Sequence, residues 1–366
     1  MVSKGLVAVD AIDKKFRGCI APGRWTLCLG AGISRGITPT WFDLTIDVVN
    51  TTFGSNYDRS SFEKLVANTG WSLDAWIQAA ANEFVIGGRK LEDFNDLLES
   101  LLYRQLRKDV KGLAIEKHLI KVLNSPDQAA KNRIIEVCEF FENNYKDSSL
   151  LGVVRFLIAA AKAGRKPHAI ITFNADTLLE TLIYIFLRRD HYKGPGPHGH
   201  PLYHYKAVDR PSLIAHHQYK EKTNIYHCHG TIMPREATSG RPKDSRDRLV
   251  FLEQEYLRIA STSASWPETL FLFHAQTTRI VFAGLSMSDA NIRRWMSASE
   301  AELSLDHDQV FSGVRINPEH LWLARELSDV NLRRLTLVSM LHLGIRPAWI
   351  KDWTDLEAAL CNMLAI

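Results

Sequence analysis

The chain has 366 residues, 46% of them hydrophobic and 23% charged, which is enough for a large core and too apolar for disorder. Its formal net charge of +4 comes from Lys and Arg scattered among Asp and Glu rather than gathered into runs, a pattern that permits an anionic ligand and does not argue for direct nucleic-acid binding. Five cysteines, at positions 19, 28, 138, 228 and 361, are odd in number, far apart and without a Cys-x-x-Cys pair; they read as reduced core thiols of a cytoplasmic protein rather than a zinc ribbon or redox motif.

In the first 25 residues, Lys4, Asp10, Asp13, Lys14 and Arg17 interrupt the apolar positions, so there is no signal-peptide core. Residues 25–34, WTLCLGAGIS, form an apolar run that stops at Gly30-Ala31-Gly32 and continues to Ser34. After a buried strand and before a helix, such small residues let the backbone close on a phosphate attracted by the helix N-terminus. Any tight strand-to-helix connection also wants glycine, and the pattern is not a full G-x-G-x-x-G.

From about residue 55 to residue 165 the periodicity is helical. In LEDFNDLLESLLYRQLRK, residues Leu91, Phe94, Leu97, Leu98, Leu101 and Leu102 make one stripe. Acids early and Arg104, Arg107 and Lys108 late complement one helix dipole, and Gly87-Gly88 breaks any preceding helix. NRIIEVCEFF and LLGVVRFLIAAAKAG predict further helices, the last ending near Gly164.

The next apolar run, Ala169–Phe173, and the later Ile280–Ala283 are hydrophobic on consecutive residues, which suits strands buried on both faces of a parallel sheet. Asn174 and Asp176 stand two apart at the first exit and can point into one crevice, although either is also a good helix N-cap. Residues 191–217, rich in Gly, Pro and His, predict a long loop. Its His198, His200, His204, His216 and His217 lack a regular ligand spacing and a cysteine partner, so no metal site is expected. NIYHCH places His229 at a strand end before Gly230; taken alone it reads as a satisfied core residue. The window TLFLFHAQTTRIVFAGL is interrupted by His274, Gln276 and Arg279 and is not a membrane span. GLSMSDANIR then supplies Gly284 and Ser286, with Ser288 or Asp289 as helix cap. The tail from Leu321 reads as a strand, two helices and a short extended piece between them.

These elements predict an α/β fold, a doubly wound Rossmann-like parallel sheet with a helical insertion. The expected division is a nucleotide-binding domain of residues 1–54 and 166–366 around an insertion of residues 55–165. Ligands of such sheets bind at the carboxyl ends of the strands.

In this order, the Gly-Ala-Gly-x-Ser turn, the Asn-x-Asp pair, His229-Gly230 and the late Gly284-x-Ser286 resemble the sirtuin family over about residues 25–295. Trp41 stands where protein-deacylating sirtuins show Pro-Asp-Phe-Arg, Phe173 stands where they carry Gln, and no cysteine follows His229 until Cys361, so their four-cysteine zinc module is absent. The chain thus looks like the divergent bacterial branch whose members act mostly as NAD-hydrolysing effectors against phage.

That resemblance implies NAD as substrate and no zinc. It implies that Gly30, Ala31, Gly32 and Ser34 hold the pyrophosphate and proximal ribose, and that Asp176 binds the nicotinamide carboxamide. Asn174 would orient the ribose and attacking water, His229 would be the base, and Gly284 and Ser286 would line the adenosine side. Residues 35–44, punctuated by Gly36 and Pro39, would form the flexible lid that the family closes over nicotinamide, with Trp41 as its apolar seal. It also implies a homo-oligomer or a separate HerA-type hexameric ATPase as partner. Two other classes stay open: an NAD-dependent protein deacylase, which leaves the missing zinc module unexplained, and a non-catalytic NAD- or ADP-ribose-binding scaffold, which makes Asn174 and His229 coincidental.

Overall fold

The computed structural model describes residues 24–192, 205–213, 222–236, 244–262, 264–310 and 320–366, the side chains of 304 and 306–310 excepted. The histidines at 198, 200, 204, 216 and 217, and Cys19, lie outside the described residues.

Among the described residues, seven strands form one all-parallel sheet: β1 (Trp25–Leu29), β2 (Ala169–Thr172), β3 (Tyr205–Val208), β4 (Thr223–His227), β5 (Arg279–Ala283), β6 (His320–Arg325) and β7 (Ile345–Ile350), in the order β3-β4-β2-β1-β5-β6-β7. The chain steps outward from β1 to one side and later returns to the other side through β5. This reversal opens a crevice at the carboxyl ends of the central strands.

Between β1 and β2 run α1 (Trp41–Phe53), α2 (Arg59–Thr69), α3 (Leu73–Ile86), α4 (Leu91–Leu102), α5 (Arg104–Val110), α6 (Leu119–Asn124), α7 (Lys131–Tyr145) and α8 (Ser149–Lys162). The later helices are α9 (Leu178–Tyr192), α10 (Glu253–Ser261), α11 (Trp266–Thr277), α12 (Ala290–Val310), α13 (Val330–Met340) and α14 (Leu356–Leu364). The tail's short extended piece is the full strand β7. No helix among the described residues is long and apolar enough to cross a membrane.

The consecutive apolar residues of the strands feed two cores, one on each face. Leu27, Leu29, Ile170, Ile225 and Val281 pack with α8, α9 and α14 through Phe156, Leu182 and Leu360. Cys28, Ile171, Tyr226 and Phe282 point the other way, against Phe271 of α11 and Trp295 of α12. Phe94, Leu98, Leu119 and Phe141 of the helical segment belong to the first of these cores, so that segment shares its interior with the sheet.

Two local expectations are corrected. The stripe from Leu91 to Leu102 falls in α4 as expected, although Leu91 itself is exposed, but the segment 91–108 is not one helix: Tyr103 (φ −102°, ψ 11°) separates α4 from α5. At this break the fully buried Tyr103 hydroxyl donates to the Ile232 carbonyl at 2.6 Å. The basic residues 104, 107 and 108 therefore belong to a second helix, and Arg107 turns back to pair with the buried Glu99. The lid expected over 35–44 is also shorter. Thr40 caps α1 by accepting from the Asp43 amide at 3.2 Å, so Trp41 to Leu44 are helical.

Candidate active site

β1 ends at Gly30, and Ala31–Ser34 make one 3-10 turn. The Gly30 amide donates to Ala283 (3.0 Å) and the Gly32 amide to Gly284 (2.9 Å), so both glycines bind the exit of β5. A Cβ on Gly32 would lie 2.8 Å from the Gly284 carbonyl oxygen, and one on Gly30 would strike Leu285. The glycines expected to hold a phosphate thus spend these amides within the protein. Their small size closes two strand exits onto one rim.

Beyond that turn, Ser34, Asn174 and Asp176 meet. Asn174 Nδ2 donates to Ser34 Oγ at 3.4 Å, and Ser34 Oγ donates to Asp176 Oδ2 at 3.3 Å. All three are buried, and Asn174 Oδ1 has no protein partner. A buried orphan acceptor is costly unless a ligand or water meets it. Asp176 also does the capping work, since Oδ1 accepts from the Leu178 amide at 3.1 Å at the start of α9. Burial pushes its carboxyl up to about 6 against the lowering effect of that bond, with Glu180 adding to the rise and His227 and Ser34 opposing it.

The β4 exit lies beside this group. The Ile232 amide donates to the Ala175 carbonyl at 2.7 Å, and the Tyr103 hydroxyl, besides donating to Ile232, accepts from the Thr177 amide at 3.3 Å. Tyr103 thereby ties the helical segment to both exits.

His229 is buried, its ring packed edge-on between Phe173 (centroids 4.9 Å apart) and Tyr256 (5.4 Å). Burial lowers its pKa to about 4, which Asp289 only partly offsets, so the imidazole is neutral at pH 7. Gly230 follows at φ +73°, where a Cβ would lie 2.8 Å from the Arg248 main chain, and the Val250 amide bonds the His229 carbonyl at 3.2 Å.

The remaining expected residues are more peripheral. Trp41 stacks on Phe251 at 5.1 Å from the first turn of α1. Ser286 is exposed and its hydroxyl lies 2.6 Å from that of Ser288, while Asp289, not Ser288, caps α12 by accepting from the Asn291 and Ile292 amides. Three residues that the motifs did not single out also build the site: Tyr103, His227 and Glu180. His227 precedes His229 by two in the same YHCHG stretch, and Glu180 stands in the first turn of α9. Among the described residues, no group of three or more His, Cys, Asp or Glu side chains is placed to hold a metal ion.

Residues 168–333 match the model of the SIR2-like domain. Together with the all-parallel sheet of Rossmann-like α/β architecture, this match supports a sirtuin-like protein. The match begins at β2, so β1, its glycine turn and Ser34 join the site through the fold. No curated protein matches the chain. SIR2-like domains use NAD, and the match fits an NAD-related function.

Proposed function

We propose that this chain is an NAD glycohydrolase that cleaves NAD and water to nicotinamide, ADP-ribose and a proton. The observation that carries the reading is the hydrogen-bonded run Asn174–Ser34–Asp176 at the exits of β1 and β2, with an orphan acceptor on Asn174 and a neutral His229 on the neighbouring exit.

The bond between nicotinamide and ribose C1′ breaks through an oxocarbenium-like state. Asn174 orients the ribose and the incoming water. Asp176, ionised above about pH 6, faces the carboxamide and accepts from its NH2. His229, free of its proton at neutral pH, takes one from the water or a ribose hydroxyl. Gly30, Ala31, Gly32 and Ser34 shape the pyrophosphate rim, Gly284 and Ser286 the adenosine side, and Trp41 the cover.

Hydrolysis is favoured over deacylation because no cysteine stands between His229 and Cys361 to build the wall that holds an acyl-lysine peptide. Unrestrained NAD cleavage starves the cell that makes it, which is the logic of an anti-phage effector. Control then falls to self-assembly or to a partner such as a HerA-type hexameric ATPase. The helical segment, with Trp71, Val85 and Ile86 exposed, offers the surface for it.

Incubation of the pure protein with NAD, with and without an acetylated peptide, and separation of the products tests the reading. Free ADP-ribose and nicotinamide support it. O-acyl-ADP-ribose formed only with peptide indicates a deacylase, and binding without turnover a scaffold.

A further inference from the structure

Both neighbours of the His227 ring are acceptors. Its Nδ1 lies 3.3 Å from the main-chain carbonyl oxygen of Asn174, and its Nε2 lies 3.1 Å from Glu180 Oε1. A neutral imidazole carries one N–H and can donate to only one of them, whereas the imidazolium donates to both. At 3.1 Å, Nε2 and the Glu180 carboxylate form an ion pair when the ring is charged.

The ring is 1% exposed. Burial opposes the charge, but Glu180, the Asn174 carbonyl and Asp176 together outweigh it and raise the pKa above the ordinary histidine value. The charged and titratable groups that act on the ring are Glu180 on α9 and Asp176 at the β2 exit, with the Tyr103 hydroxyl near them; Asp209 after β3, paired with Arg210, lines the same cavity as the ring. Cys228, Asp247, Arg248 and Arg258 share with His227 the wall of a cavity of about 360 Å³.

We infer that His227 and Glu180 are positioning residues for Asn174: the doubly protonated ring grips the Asn174 carbonyl and thereby fixes where its side chain is presented. Loss of the ring proton forces a choice between the two acceptors, and the carboxylate is the stronger. The Asn174 carbonyl is then released. For turnover this rests on the NAD-cleaving reading; for the grip itself it does not.

The test follows the His227 ring nitrogens and the Asn174 carbonyl carbon by NMR across pH in the full chain, alongside kcat and KM for NAD. The carbonyl shift should change with the midpoint of the ring. Glu180→Gln should lower both midpoints by about 1 unit or more, and should move the alkaline limb of kcat to lower pH with KM within about twofold. His227→Gln keeps a donor that does not titrate, and should flatten that limb. A carbonyl shift that stays flat while the ring titrates, or midpoints unmoved in Glu180→Gln, overturns the inference. Coupled midpoints in a protein that never cleaves NAD uphold the grip and refute the NAD-cleaving reading.

Discussion

The Gly32 amide donates to the Gly284 carbonyl at 2.9 Å, so the turn after β1 is fastened to the turn after β5. Gly284 sits at φ +69°, and a Cβ there would approach the Ile33 amide nitrogen to 2.6 Å. Left-handed backbone costs a non-glycine residue roughly 1–2 kcal/mol, and overpacking adds about 1–3. Gly284→Ala should therefore destabilise the fold by about 2–5 kcal/mol in chemical denaturation. An unchanged midpoint would contradict this packing of the two exits.

Tyr103→Phe removes one hydroxyl from a buried junction. It leaves the Ile232 carbonyl and the Thr177 amide without that partner, a loss of roughly 1–3 kcal/mol when such groups stay unsatisfied. Hydrogen exchange should rise at residues 174–177 and 230–232 while the far strands β6 and β7 stay protected. Uniform exchange at wild-type levels would show that Tyr103 is no clamp.

Acid should destabilise the protein above pH 4. His229, His274 and His320 all have pKa values lowered to about 4 by burial, and His320 Nδ1 accepts from the Ile280 amide at 3.0 Å, which requires it unprotonated. Between their unfolded value near 6.5 and about 4 the unfolded chain binds more protons, so stability falls as pH falls through that window. The slope is up to about 1.4 kcal/mol per pH unit for each histidine. Asp176 has the opposite sign: its raised pKa favours the folded state as pH drops below about 6 and offsets part of the loss. Stability that rises from pH 6.5 to 4.5 would contradict the assignment.

Chelation should change neither melting temperature nor NAD turnover, since a structural zinc contributes folding energy wherever one exists. Stoichiometric zinc by elemental analysis, with a fall in melting temperature on its removal, would place a metal on the histidine-rich stretch.

What the sequence revealed depended on the range of the interaction. Ala169–Thr172 and Arg279–Ala283 were legible as parallel strands because burial on both faces writes itself into consecutive apolar residues. Asp289 was legible as a cap because its partners are two and three residues away. The tie made by Tyr103 was not, because its hydroxyl bonds a carbonyl 129 residues away. The donors of Gly30 and Gly32 looked free for a phosphate because nothing local shows that β5 lies alongside. His227 carries no local signal because its two acceptors come from the β2 exit and α9, which only the sheet order brings to β4.

Whether Asn174 and His229 act on NAD is tested most directly by nicotinamide release from wild type, Asn174→Ala and His229→Ala, with folding checked by circular dichroism and melting temperature. A lost general base typically costs ~10²–10⁴ in rate. Both folded variants should fall by that order while the wild type yields nicotinamide and ADP-ribose in equal amounts. Near wild-type release by either folded variant would contradict it.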